Sequence, residues 1–186
     1  MNTIRCFIAV DVEDPGILLR VAGLQEQLKA TGAKLKLVEP ENLHLTIRFI
    51  GEVPKEVVEK ISDALREVDF EPFKAHFAGL GAFPTPRNPR VVWVDVKEGA
   101  RELSDLNVKV NKSLAKLKLP KPSEEFTPHL TIARLKTGGS SLSRVVEENS
   151  SVEVGTMVVE KIRLKKSTLT PRGPVYETLF EKLAKR

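Results

Sequence analysis

His44-Leu45-Thr46-Ile47 and His129-Leu130-Thr131-Ile132 are the same four residues written twice in one chain, and they hold two of its three histidines. An internal duplication accounts for such a repeat. A proline-containing loop precedes each copy, Glu39-Pro40-Glu41 before the first and Thr127-Pro128 before the second, and an arginine follows each, Arg48 and Arg134. In a strand, side chains alternate, so His and Thr share one face while Leu and Ile share the other and anchor it in a core. Imidazole and hydroxyl then stand about 7 Å apart on a rigid support, close enough to grip one small polar group together. Two such strands related by an approximate twofold axis would aim both imidazoles at a common point from opposite sides. In-line displacement at phosphorus needs that opposition, with a base on the attacking oxygen and an acid on the leaving one.

Working outward, Ile4 to Val10 is a continuous apolar run that reads as a buried strand. Asp14 and Pro15 supply a cap and a first-turn proline for a helix carrying Leu18, Val21, Leu24 and Leu28, which Gly32 stops. Further helices are expected after Pro54, with Val57, Val58, Ile61, Leu65 and Val68 on one face, and from Leu103 to Leu117, with a short one from Leu142 to Asn149. Strands are expected at 35–38, 43–50, 73–77, 91–96, 130–135, 152–159, 162–169 and 175–180. The proline-rich stretch Phe83 to Pro89 reads as a loop, because its prolines remove ladder donors. Helices scattered among eight or nine strands without a βαβ rhythm predict an α+β protein with mostly antiparallel sheets. Composition places no lobe boundary, so residues 1–186 read as one catalytic domain.

The chain has 186 residues, 41% hydrophobic and 30% charged, which excludes disorder as its main character and allows one domain or two small lobes. No apolar run approaches the roughly 18 residues of a membrane span, and acids stand where a signal-peptide cleavage site would lie, so no membrane partner and a cytoplasmic location are expected. Cys6 alone can make neither an internal disulfide nor a multi-thiolate site and reads as a small core residue. Thirty basic side chains against 25 acidic ones leave a net charge of +5, which favours anionic partners. Few Cys, Met and Gln beside many Lys, Glu and Arg resemble a heat-adapted composition.

Neither copy of the tetrapeptide brings a second His, Cys or acid at ligand spacing, so no metal site is expected. His76, with Ala78 in place of a threonine two residues on, reads as structural. Thr46 and Thr131 can donate to non-bridging phosphate oxygens or orient the imidazoles. Arg134, two residues past Ile132, is expected on the polar face as a phosphate clamp. Strand parity puts Arg48 on the cleft face with His44 and Thr46, and Phe49 on the core face. Trp93, Phe126 and Tyr176 are the candidates for stacking on a base.

The two copies resemble the paired His-x-Thr-x motifs of the two-histidine phosphoesterase superfamily. The longer strings HLTIRFIGEV, FTPHLTIARL, RCFIAVDV, FPTPRNPRVVWVDV and STLTPRGPVYETL resemble its RNA 2',3'-cyclic phosphodiesterase branch, also called 2'-5' RNA ligase, nearly end to end. The resemblance implies a bilobal fold of two antiparallel sheets with outer helices, a central cleft holding both motifs, and no metal or other cofactor. It implies His44 as proton donor and His129 as proton acceptor in hydrolysis of RNA 2',3'-cyclic phosphate ends to 2'-phosphomonoesters. RNA with such ends is the partner it implies, tRNA fragments among the sources, acted on by a monomer. Two other readings use the same residues: 2'-5' ligation of a cyclic end to a 5'-hydroxyl, which runs the same acid and base in reverse, and an RNA-end-binding module without turnover.

Overall fold

A computed structural model describes residues 2–186, which form nine strands and four α-helices. In chain order these are β1 (Thr3–Asp11), α1 (Pro15–Lys29), β2 (Lys34–Leu37), β3 (His44–Pro54), α2 (Lys55–Arg66), β4 (Phe73–Thr85), β5 (Asn88–Glu98), α3 (Ala100–Leu114), β6 (His129–Thr137), α4 (Leu142–Glu148), β7 (Glu153–Val159), β8 (Lys161–Thr170) and β9 (Gly173–Leu183). The α1 cap forms as the sequence implies, with the Asp14 carboxylate accepting from the Ile17 N–H at 3.0 Å and Pro15 following it. The stretch read as a loop at 83–89 is instead a hairpin: β4 runs on to Thr85 and β5 begins at Asn88. Pro84 and Pro89 are each other's ladder partners, so the missing N–H groups fall together on one rung near the tip, where little pairing is forfeited.

All the pairings are antiparallel, in the order β7-β4-β5-β6-β3-β1-β8-β9, with β2 also on β6. The two sheets expected from the sequence are thus the halves of one curled sheet, joined where β3 meets β6 on the single rung Leu45↔Leu130. Because equivalent residues of the repeat face each other there, the local twofold axis passes through that rung. Continuing the antiparallel register by one residue sets His44 toward Thr131 and His129 toward Thr46.

The helices interlock the halves. α1 leaves β1 and packs on β7, β2 and β6 of the other half, beside α4; α3 leaves β5 and packs against β3 and α2. Leu24, Leu28, Leu103, Leu106 and Val110 fill the space beneath the sheet together with Leu45, Ile47, Leu130 and Ile132, all fully or almost fully buried. Cys6 lies in this core, and burial pushes its thiol up to about 11, the setting of an inert side chain.

Candidate active site

Both copies of the tetrapeptide open their strands, β3 and β6, and their neighbours match rung for rung. Asp11 is partner to His44 and Ala9 to Thr46 on β1; Asp95 is partner to His129 and Trp93 to Thr131 on β5. In each ladder the next residue is skipped, so that Ile8 meets Arg48 and Val92 meets Ala133. A β-bulge therefore sits on Ile47 and again on Ile132.

The bulge decides where the two arginines go. Past it, Arg48 shares the face of buried Ile8; it is 6% exposed and donates through Nη2 to the Pro120 carbonyl, with Nε and Nη1 unpartnered. The expectation that Arg48 binds substrate is corrected: the extra residue turns it from the cleft, and Phe49, expected in the core, is exposed instead. Strict alternation from His129 would have sent Arg134 into the core with Leu130 and Ile132. The second bulge brings it out, and Arg134 lines the cleft.

A bulged residue leaves the ladder, and its buried carbonyl needs another donor. Asn107 of α3 donates to the Ile47 carbonyl at 2.8 Å, and Gln25 of α1 donates to the Ile132 carbonyl at 3.0 Å. Gln25 also donates to Val38 at 2.8 Å, and the Val38 N–H joins it on Ile132 at 2.9 Å. Each crossing helix thus holds the bulge that aims the other half's motif. Sequence reasoning missed both amides; the only available signal was a polar residue on an otherwise apolar helix face.

His44, Thr46, His129 and Thr131 meet in one cleft of about 580 Å³, with Arg134 and Tyr176 also on its walls. His44 Nδ1 lies 2.6 Å from the Asn42 carbonyl and His129 Nδ1 2.6 Å from the Thr127 carbonyl. A carbonyl only accepts, so Nδ1 carries the proton in both rings and Nε2 is the nitrogen left for proton exchange. The halves differ at Nε2. The Thr46 hydroxyl lies 3.0 Å from His44 Nε2, whereas His129 Nε2 has no hydrogen-bond partner among the described residues.

Aromatic rings brace each imidazole: Phe7 and Tyr176 at 5.0 and 5.4 Å from His44, Phe83 at 5.1 Å and Trp93 at 6.2 Å from His129. Burial there pulls the His44 imidazole below its ordinary value, opposed by its Asn42 hydrogen bond and the Asp11 charge. Burial also raises the Tyr176 phenol, which stays a neutral donor at the cleft wall. Of the stacking candidates, Tyr176 is in the cleft, Phe126 packs on the core, and Trp93 lies over Gly81, where a Cβ would come within 2.2 Å of the indole. His76 is elsewhere, 2.7 Å from Glu153. Among the described residues no three His, Cys, Asp or Glu side chains gather as a metal cluster.

A duplicated strand motif with one inward histidine per half, meeting across a twofold cleft, defines a two-histidine phosphoesterase. The chain belongs to the LigT-like phosphoesterase family, whose profile matches residues 12–93 and again 94–176. The two matches divide the chain as its internal repeat does. Among its relatives, it is 44% identical to an RNA 2',3'-cyclic phosphodiesterase of Aeropyrum pernix over 87% of this chain and 93% of that one. It is equally 44% identical to one of Archaeoglobus fulgidus, over 94% and 97%. A solved structure from Thermus thermophilus superposes with TM-score 0.77 at 29% identity, over 97% of both chains. Escherichia coli LigT complexed with 3'-AMP superposes at TM-score 0.79 over the whole of both chains, and at 21% identity it speaks to the fold.

Proposed function

We propose that the protein hydrolyses RNA 2',3'-cyclic phosphodiester ends to 2'-phosphomonoesters by paired histidine acid–base catalysis that uses no metal. The observation that carries this is the pair of imidazoles in one cleft, each fixed through Nδ1 to a backbone carbonyl, with Nε2 as the proton-exchanging atom. His129, whose Nε2 is unpartnered, takes the proton from the attacking water. His44 protonates the leaving 3'-oxygen; the arriving diester anion restores the positive charge that burial discourages. Once His44 is cationic, its Nε2–H no longer accepts from Thr46, and the Thr46 hydroxyl is free to donate to a non-bridging oxygen, as is that of Thr131. Arg134 neutralises charge on the same oxygens.

Ligation would employ the same groups in reverse, and the relatives carry the hydrolase name. As finer parts of the proposal, residues 1–186 act as one bilobal catalytic domain, a monomer of the cytoplasm, with tRNA fragments among its RNA partners. No helix of the described residues is long and apolar enough to cross a membrane.

The test is turnover of a nucleoside 2',3'-cyclic phosphate with chelator present and identification of the product isomer. General acid or base assistance is worth about 10² to 10⁴. His44→Ala and His129→Ala should each lose at least ~10²-fold, and the double variant little more, since the two act as one unit. Activity abolished by chelator and restored by zinc, or single variants that keep near-full turnover, would reject the proposal.

A further inference from the structure

The repeat extends beyond the histidines. Each motif strand lies beside a Val-Asp-Val, Val10-Asp11-Val12 on β1 and Val94-Asp95-Val96 on β5, and each aspartate is the direct partner of a histidine, Asp11 of His44 and Asp95 of His129. The Val12 N–H donates to the Leu43 carbonyl at 3.0 Å, which makes the Asp11–His44 rung a non-hydrogen-bonded one, where facing Cβ atoms stand about 4.5–5.5 Å apart. The surroundings of the two aspartates differ. Asp95 is 37% exposed and both its oxygens are occupied, one by the Val96 N–H at 2.9 Å and the other by the exposed Lys97 at 2.7 Å. Asp11 is 9% exposed, and its two partners on β8, Lys165 at 2.7 Å and Arg163 at 2.6 Å, both take Oδ2, so that Oδ1 has no hydrogen-bond partner among the described residues.

A buried ion pair adds little stability, because desolvating two charges offsets their attraction, and an apolar pair of the same size would serve the core as well. Its position gives this one another use, since a charge shielded from water acts on its neighbours with little screening. Both His44 nitrogens are already engaged, Nδ1 at the Asn42 carbonyl and Nε2 at the Thr46 hydroxyl, so Asp11 reaches the imidazole only as a charge across the rung. Arg163 is divided among Asp11, Glu13 and Glu181 and neutralises Asp11 only in part, whereas Lys165, 7% exposed, has Asp11 as its one carboxylate among the described residues. Lys165 Nζ also stands 6.0 Å from the centroid of the Tyr176 ring, which meets His44 edge-on. The charged and titratable groups facing His44 are therefore Asp11 of β1, Lys165 of β8, Tyr176 of β9, and Arg134 and His129 of β6; Asp11 favours the imidazolium, and Lys165 and Arg134 oppose it. Lys36, Glu39, Lys136 and Arg172 line the same cleft and are common to every variant below.

We propose that Asp11 is a positioning residue for the acid step: its buried carboxylate holds the imidazolium form of His44 from across the strand, and Lys165 sets how much of that charge reaches the ring, while the solvated Asp95 leaves His129 to act as the base. This rests on the phosphodiesterase reading above. The test follows the His44 ring by NMR titration of the free protein, alongside the pH profile of kcat/KM on a nucleoside 2',3'-cyclic phosphate, for Asp11→Asn, Lys165→Met, the double variant and Asp95→Asn. Asp11→Asn removes the facing anion and strips Lys165 of its partner, so the His44 midpoint and the alkaline limb should both move down by about 1 pH unit. Lys165→Met removes a cation and should move both up. The double variant should fall between the singles; holding no unpaired buried ammonium, it isolates the Asp11 effect by comparison with Lys165→Met even where Asp11→Asn alone does not fold. Asp95→Asn should leave both in place. On a diester with an activated phenolate leaving group, which needs no acid, the rate lost in Asp11→Asn should largely return, whereas a merely structural role would slow both substrates alike. A midpoint unmoved in Lys165→Met, a double variant no lower than Lys165→Met, or shifts of one sign in both singles overturns the proposal while hydrolysis stands. Opposite shifts of the His44 midpoint in a protein that turns over no cyclic phosphate overturn the phosphodiesterase reading while supporting the charge pair.

Discussion

Replacing Asn107 by Asp alters almost nothing in shape and inverts one hydrogen bond. The Asn107 amide donates to the Ile47 carbonyl, and its orientation is fixed because its own Oδ1 accepts from Asn111 Nδ2 at 3.2 Å. An aspartate there presents an oxygen to the Ile47 carbonyl, which the bulge has already removed from the β1–β3 ladder. A buried acceptor left unsatisfied costs about 1–3 kcal/mol, and two facing acceptors lie at or above the upper end. For a domain of this size about 1 kcal/mol moves Tm by roughly 2–4 °C, so Asn107→Ala should lower it by about 2–12 °C and Asn107→Asp by more. Because the bulge turns His44 and Thr46 toward the cleft and Arg48 away, kcat should fall about tenfold or more in the folded aspartate variant, a loss of about 1.4 kcal/mol in transition-state stabilisation. Thermal unfolding followed by circular dichroism, and turnover of a cyclic phosphate well below Tm, give both numbers. An Asn107→Asp protein as stable and as active as wild type would refute the claim that this amide holds the bulge.

Arg134→Met should lower kcat/KM by about 10- to 100-fold, the worth of a charge-assisted hydrogen bond to the diester, whereas Arg48→Met should stay within about threefold; the opposite ranking would undo the bulge argument. The pH profiles should separate. The acid must be cationic, and burial holds His44 low in the free enzyme, so the alkaline limb of kcat/KM should lie below that of kcat, where the bound diester anion raises it; coincident limbs would count against His44 as the acid. Protons bind His44 more readily unfolded than folded, so stability should fall as pH drops below about 6.5, and His44→Gln should flatten that slope in urea titrations. On a diester with an activated phenolate leaving group, His44→Ala should recover much of its rate and His129→Ala should not; rescue of the other variant would exchange their roles.

Alternation and repetition are local properties, and they were enough to place the paired histidines and threonines on strands, to cap α1 at Asp14, to bury Cys6 and to set His76 aside. A four-residue repeat containing a scarce residue also implied the twofold before any contact was known. Strand parity counted through Ile47 put Arg48 and Phe49 on the wrong faces, whereas Arg134 reaches the expected face only because a second bulge sits on Ile132. A bulge is fixed by what the neighbouring strand and the crossing helix offer its carbonyl, and Asn107 and Gln25 come from 60 and 107 positions away in the chain. The same holds for the charged groups. Lys165 and Lys136 are alike as letters. One is neutralised by Asp11, 154 residues distant in sequence, and the other is left facing the cleft, because pairing of charges depends on which strands become neighbours. The sequence by itself determined the duplicated motif, the strands that carry it and the chemistry its side chains can perform. Only the tertiary structure decided which arginine reaches the cleft, which cations stay free, and that the two sheets meet on the rung between Leu45 and Leu130, since these depend on long-range packing that no local period encodes.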